Sequence, residues 1–149
     1  EFADVEVVFP VHLNPTVRDL AVEMLGGKER IHLLEPLDYE PFANLMNHSY
    51  LVLTDSGGMQ EEAPSLGKPV LVLRDTTERP EAITAGTVKL VGTGEENVYR
   101  AAALLLADRA EYDQMARAIN PYGDGKAARR IVNVIKEYLY VRIGAQGKN

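Results

Sequence analysis

The sequence contains no cysteine, and none of its hydrophobic runs is long enough to cross a membrane. The absence of cysteine excludes disulfide bonds, thiolate metal ligands and a cysteine nucleophile, and it fits a cytoplasmic location. The three histidines, His12, His32 and His48, lack the paired spacing of a zinc site. We therefore expect neither a bound metal nor a membrane partner.

Charge and length narrow the class of protein further. The net charge of −6 is spread along the chain, which argues against a nucleic-acid partner. No segment has the form G-x-G-x-x-G, so a nicotinamide or flavin dinucleotide is not expected, and no other cofactor is predicted. A length of 149 residues is enough for a single domain with a buried core.

Short apolar segments alternate with segments of helical periodicity along the chain. The predicted strands are 5–11, 31–34, 50–54, 70–73 and 87–91, and the predicted helices are 16–25, 39–47, 58–66, 81–85, 95–107, 110–118 and 126 to about 141. This alternation is typical of βαβ units with right-handed crossovers. The pattern predicts one α/β domain over residues 1–149, a Rossmann-like parallel sheet of about five strands with helices on both faces and a helical carboxyl terminus.

The most informative stretch is residues 51–66, LVLTDSGGMQEEAPSL. It opens as a buried strand, breaks at a short Ser-Gly-Gly turn and resumes as a helix. Glycines let the backbone approach a ligand, and the N–H groups of a first helical turn favour an anion. The alternative is that Asp55 or Ser56 only caps the helix, with Glu61 and Glu62 favourably placed near its start. The local pattern leaves both interpretations open.

Polar residues follow several of the predicted strands at the point where each strand ends. Because the carboxyl ends of parallel strands meet at one edge of a sheet, we expect these loops to converge on a ligand site. The residues concerned are His12, Asn14, Pro36, Asp55, Ser56, Gly57, Gly58, Asp75, Thr76, Thr77, Glu78 and Arg79.

Three segments carry a family resemblance: VHLNP (11–15), TDSGGMQEEAPSLGKPVLVLRDTTERPEAITAGTVKLVG (54–92) and NPYGDGKA (120–127). Together they resemble the non-hydrolysing UDP-N-acetylglucosamine 2-epimerases, and the resemblance spans nearly the whole chain. It implies the carboxyl-terminal half of a two-domain GT-B-type enzyme. The expected partners are UDP or UDP-GlcNAc, the amino-terminal half of the same enzyme and, in the parent protein, a second copy in a homodimer.

The resemblance implies roles for five residues around the Ser-Gly-Gly turn. Ser56, Gly57 and Gly58 would hold the diphosphate. Glu62 would accept hydrogen bonds from the ribose hydroxyls, since a carboxylate offers two acceptor oxygens, and Arg79 would bind the phosphates. The alternatives are a solvated helix residue for Glu62 and, for Arg79, an ion pair with a neighbouring glutamate, Glu78 or Glu81.

Three further residues receive roles from the same resemblance. Leu37, through its backbone, and Phe42 would contact the uracil. His12 would lie near a second UDP-sugar site that activates bacterial members of the family. Phe42 also fits an ordinary core position, and His12 also fits a packed or solvated loop residue.

The reaction that the resemblance implies inverts carbon 2 of the sugar. UDP is eliminated to give 2-acetamidoglucal and is then re-added to the other face, so that UDP-GlcNAc and UDP-ManNAc interconvert. The acid/base carboxylates belong to the family's amino-terminal half, so no catalytic residue is assigned here and the chain alone is expected to be inactive. The alternatives are a non-catalytic UDP-sugar-binding module and the nucleotide half of a GT-B glycosyltransferase.

The sequence departs from the family pattern at its start. The family's carboxyl-terminal half opens with a strand, a His-Arg-Arg-Glu-Asn loop and a helix, and none of these precedes Val5. The first strand would lie between the strands at 5–11 and 50–54. We therefore expect either that the sequence is a piece of a longer polypeptide or that these two strands pair directly.

Overall fold

The computed structural model describes residues 2–146, with side chains through Tyr140. Strands and helices alternate through most of this range, as the periodicity predicts, and the α/β fold class is confirmed. The strands are β1 (Val7–Pro10), β2 (Ile31–Leu34), β3 (Val52–Thr54), β4 (Val70–Val72) and β5 (Val88–Leu90). The helices are α1 (Pro15–Leu25), α2 (Tyr39–His48), α3 (Met59–Ser65), α4 (Pro80–Ala85), α5 (Glu95–Ala107), α6 (Arg109–Ala116) and α7 (Ala127–Gln146).

The chain divides into two compact units, one ending at His48 and the other beginning at Ser49. In the first unit, β1 and β2 pair in parallel with Val7 opposite Ile31, and α1 contacts β2. The side chain of Asn14 accepts the N–H of Thr16 at 3.0 Å, and proline occupies the first helical position. This start of α1 is the one that an Asn-Pro pair favours.

The second unit is built around β4, which lies between β3 and β5 in a parallel sheet. All three β4 residues are fully buried, and Leu71 packs with Val91, Ala101 and Leu105. Helices α3 and α5 contact β4, and α4 contacts β5. Because the strands are parallel and in register, the loops that follow β3 and β4 leave from the same edge of this sheet.

The predicted single sheet is replaced by two sheets in the described residues. β1 pairs with β2, β3 pairs with β4, and no ladder joins β1 to β3. The direct pairing of the strands at 5–11 and 50–54, one of our two expectations, is therefore wrong. A residue pattern predicts that a strand forms, but the pairing of strands distant in sequence depends on which neighbour supplies hydrogen bonds and apolar cover.

Candidate functional site

The turn formed by Ser56, Gly57 and Gly58, called here the 56–58 turn, joins β3 to α3. The N-cap of α3 is Gly58, which has no side chain with which to cap the helix. The N–H of Ser56 donates to Thr54 Oγ1 at 3.0 Å. The interpretation of Asp55 or Ser56 as a helix cap is therefore wrong, and the start of α3 carries no side-chain cap.

Gly58 is flanked by two of the predicted site residues. A Cβ atom at this position would lie 3.8 Å from both Ser56 Oγ and Glu62 Oε1. Glu62 is half-buried one helical turn further along α3, where its N–H donates to the Gly58 carbonyl at 3.0 Å. A hydroxyl group and a carboxylate thus face the same small opening above a glycine.

Gly57 faces the carboxylate of Glu78, another of the residues expected at this edge of the sheet. A Cβ atom at Gly57 would lie 2.7 Å from Glu78 Oε1, and Arg74 binds the Glu78 carboxylate at 2.9 Å. The pKa of Glu78 is lowered, first by a hydrogen bond from its own backbone N–H and then by the charge of Arg74. A phosphate group bound at Gly57 would have to displace this exposed carboxylate.

Arg79 is tied to α3. Its Nε donates to the carboxylate of Glu61, and its side chain is 33% exposed. This hydrogen bond is the main cause of the raised pKa of Arg79. In the described residues the ion-pair partner is Glu61, and neither Glu78 nor Glu81 takes that place. The guanidinium is therefore held at the helix that also carries Glu62.

The pairing of buried Gln60 with half-buried Thr77 was missed by sequence reasoning. Gln60 is fully buried, and its side chain bonds both the Ser56 carbonyl and the Thr77 hydroxyl. In the sequence, Gln60 lies between Met59 and the acidic residues Glu61 and Glu62. This pattern does not show that its side chain is buried. The partner lies 17 residues away in the chain.

The NPYGDGKA segment also reaches α3. Asn120 Nδ2 donates to the Glu61 carbonyl at 3.2 Å, and Asn120 Oδ1 accepts the Tyr122 N–H at 3.2 Å. The pKa of Tyr122 is raised by burial and then by the nearby charge of Glu81. This segment therefore packs against α3, the helix on which Glu62 lies, and holds it by a hydrogen bond.

The remaining predicted site residues lie in the first unit. Leu37 is half-buried two residues before α2, and Phe42 is half-buried within α2. His12 follows β1 in an exposed position, where its Nδ1 accepts the Asn14 N–H at 3.1 Å. The uracil roles of Leu37 and Phe42 and the regulatory role of His12 stay predictions.

Between residues 2 and 146, no group of three or more His, Asp or Glu side chains could hold a metal ion. In the same range, every helix is too short or too polar to traverse a bilayer.

The Asp124–Arg130 pair predicts a pH-dependent stability. Two hydrogen bonds of 2.8 Å join the Asp124 carboxylate to the guanidinium, which lowers the pKa of Asp124. The pair therefore stabilises the fold above the unfolded pKa of about 3.9, and this contribution is lost as the pH falls through the folded pKa. We expect Asp124→Asn to lower the thermal unfolding midpoint slightly at neutral pH, as is usual for an exposed pair, and not at about pH 2, well below that value. Equal lowering in both buffers, measured by calorimetry, would contradict the assignment.

Solved structures with the same fold define the class of this protein. The S. aureus MnaA–UDP co-structure is 56% identical with a TM-score of 0.87, and the match covers 93% of this chain and 38% of that one. A UDP-GlcNAc 2-epimerase from Neisseria meningitidis bound to UDP-GlcNAc is 52% identical with a TM-score of 0.83, and the match covers 89% of this chain and 36% of that one. The chain is thus an α/β protein with parallel strands whose fold, predicted from the sequence to be Rossmann-like, matches about a third of each of these larger structures.

The family follows from the sequence match. Residues 1–136 match the family model described as UDP-N-acetylglucosamine 2-epimerase, and the chain belongs to this family. The UDP-N-acetylglucosamine 2-epimerase of Bacillus subtilis (strain 168) is 63% identical over 132 residues, which are 89% of this chain and 35% of that protein. The chain therefore spans about a third of the length of the curated relatives it matches. The resemblance seen in the sequence is confirmed.

Proposed function

We propose that the second unit binds UDP, or the UDP part of a UDP-sugar, at the 56–58 turn. The observation that carries this proposal is the meeting of the Ser56 hydroxyl and the Glu62 carboxylate at Gly58, on the same helix that holds Arg79. Two similar structures hold UDP and UDP-GlcNAc, which supports the choice of ligand. The turn and Arg79 bind the diphosphate, and Glu62 accepts from the ribose hydroxyls.

The proposed uracil contacts are those that the resemblance implies, the backbone of Leu37 and the side chain of Phe42. Leu37 presents its backbone ahead of α2, and Phe42 offers an aromatic face from within the helix. Both side chains are half-buried, which leaves surface for a base to cover. His12 is assigned to a second, activating UDP-sugar site, and its exposure is compatible with a ligand contact.

The proposed activity of the whole protein is the interconversion of UDP-GlcNAc and UDP-ManNAc. UDP leaves and returns during this reaction, so cationic and N–H groups on its phosphates stabilise the charge that develops. The chain supplies these groups through the 56–58 turn and Arg79. The acid/base carboxylates at the sugar are assigned to an amino-terminal half, and the chain by itself is therefore inactive.

An exposed apolar face of α7 supports the proposal that an amino-terminal half packs against this chain. Ile131, Val134, Ile135 and Tyr138 follow the i, i+3, i+4, i+7 spacing, so they share one face of the helix. Each of these side chains is between 50% and 64% exposed. A continuous apolar stripe of this kind marks a surface that another protein segment covers. We assign that segment to the amino-terminal half.

A chimera tests the proposed activity. The chain replaces the matching third of the Bacillus subtilis relative, and conversion of UDP-GlcNAc is followed by proton NMR. We expect UDP-ManNAc to form, and we expect the same chimera with Arg79→Ala to form it far more slowly. A folded chimera that binds UDP but converts nothing would contradict the assignment as an epimerase and would favour a binding module.

Glu62→Gln is expected to weaken UDP binding by about tenfold, because a hydrogen bond to a charged acceptor contributes roughly 1.5–3 kcal/mol. The substitution keeps the shape of the side chain and removes its charge. Calorimetry with UDP and with 2′,3′-dideoxy-UDP gives the matched control. The wild-type chain should prefer UDP, and the variant should lose most of that preference. An undiminished preference in the variant would show that Glu62 does not contact the ribose.

A further inference from the structure

We propose that Gln60 is a positioning residue that fixes the 56–58 turn relative to the loop carrying Arg79. This inference rests on the proposed function, because it concerns how the diphosphate-binding groups are held. Gln60 does not itself touch the ligand. Its role is to keep the turn and the loop in the arrangement that the diphosphate requires.

The geometry gives Gln60 two partners on two different segments. Its Nε2 donates to the Ser56 carbonyl at 3.3 Å, and its Oε1 accepts the Thr77 hydroxyl at 2.6 Å. An uncharged amide side chain donates from one fixed atom and accepts at another. The side chain therefore bridges the turn after β3 and the loop after β4.

Thr77 extends this bridge to Arg79. Its Oγ1 accepts the backbone N–H of Arg79 at 3.0 Å while its O–H donates to Gln60. A continuous series of hydrogen bonds thus runs from the Ser56 carbonyl through two side chains to the backbone of Arg79. The guanidinium of Arg79 is fixed separately, by Glu61 on the same helix as Gln60.

Burial makes the bridge specific. Gln60 has no exposed surface, and an unpaired amide in that place would lose its solvation without compensation. An apolar side chain of similar length would fill the same space, so packing alone does not require glutamine. The polar pair defines one relative position of two loops that would otherwise shift, and binding groups held in advance give higher affinity.

The experiment compares UDP with uridine, because their difference in affinity reports the diphosphate contacts. Gln60→Met and Thr77→Val each remove one partner of the bridge at nearly constant volume. We expect each to reduce the ratio of the uridine to the UDP dissociation constant by about tenfold, the effect of one net hydrogen bond or slightly more. The double variant should lose no more than the stronger single variant, since both break the same bridge.

Thr77→Ser is the matched control, because it keeps the hydroxyl and should keep the wild-type ratio. Circular dichroism and thermal unfolding establish whether each variant is folded. If Gln60→Met does not fold, Thr77→Val, at a half-buried position, provides the test. An unchanged ratio in folded Thr77→Val overturns the inference. Equal weakening of uridine and UDP also overturns it, since that assigns the bridge to general stability.

The failure of the proposed function has a different signature. A folded wild-type chain that binds neither UDP nor uridine overturns the UDP site itself, and this inference with it. In the other case, the wild-type chain binds UDP more tightly than uridine while the bridge variants show the same preference. That result overturns the positioning role alone.

Discussion

An Arg79→Ala variant is expected to bind UDP about a hundredfold more weakly than the wild-type chain. Charge-assisted hydrogen bonds contribute roughly 1.5–3 kcal/mol each, and about 1.4 kcal/mol corresponds to tenfold in affinity. A guanidinium binds phosphate oxygens through two parallel N–H groups, so its loss removes more than one contact. Arg79 is already oriented by Glu61, which reduces the entropy that binding must overcome.

Two variants make this prediction specific. Arg79→Lys keeps the charge and loses the fork of donors, and we expect it to fall between the wild type and Arg79→Ala. Arg100→Ala removes an exposed arginine that pairs with Glu96 within α5, and it should leave UDP affinity unchanged. Isothermal titration calorimetry at fixed ionic strength measures all three. If Arg79→Ala and Arg100→Ala behaved alike, Arg79 would not be a phosphate ligand.

The second large effect is expected from Gly58→Ala. This variant should fold like the wild-type chain and bind UDP about a hundredfold more weakly. Gly58 has φ −61° and ψ −40°, which any residue adopts, and a new Cβ would meet only atoms at 3.8 Å. The methyl group would instead occupy the opening between Ser56 and Glu62. Forcing an extra methyl into a close contact costs roughly 1–3 kcal/mol, and a helix backbone cannot easily move aside.

Gly94→Ala is the matched control for Gly58→Ala. Gly94 is likewise the N-cap glycine of a helix, α5, with φ −74° and a nearest side-chain atom at 3.7 Å from a new Cβ. Both variants should unfold near the wild-type temperature, and only Gly58→Ala should affect UDP binding. Unimpaired binding by Gly58→Ala would show that the ligand does not approach the backbone there.

Local patterns account for most of the elements of this fold. The predicted bounds of β2 and α5 agree with the structure because apolar periodicity and the flanking residues act within one segment. The final helix runs to Gln146, beyond the predicted end near residue 141. Gly144 belongs to the residue type that often ends a helix, yet this helix continues through it, so a local signal does not fix the end.

Contacts between segments that are distant in sequence could not be predicted from local patterns. The alternative considered for Arg79 was an ion pair with Glu78 or Glu81, close in sequence, whereas parallel pairing of β3 and β4 brings Glu61 of α3 beside its loop. The same pairing creates the bridge between Gln60 and Thr77. The separation of the strands into two sheets is equally non-local, since it depends on which strand lies beside β1 and which beside β3.

The central claim is that this chain carries a UDP site, and calorimetric titration of UDP into the wild-type chain tests it most directly. The account predicts saturable binding of UDP at the 56–58 turn, weakened by Arg79→Ala and by Glu62→Gln. A chain that is folded by circular dichroism and takes up no UDP would contradict the account.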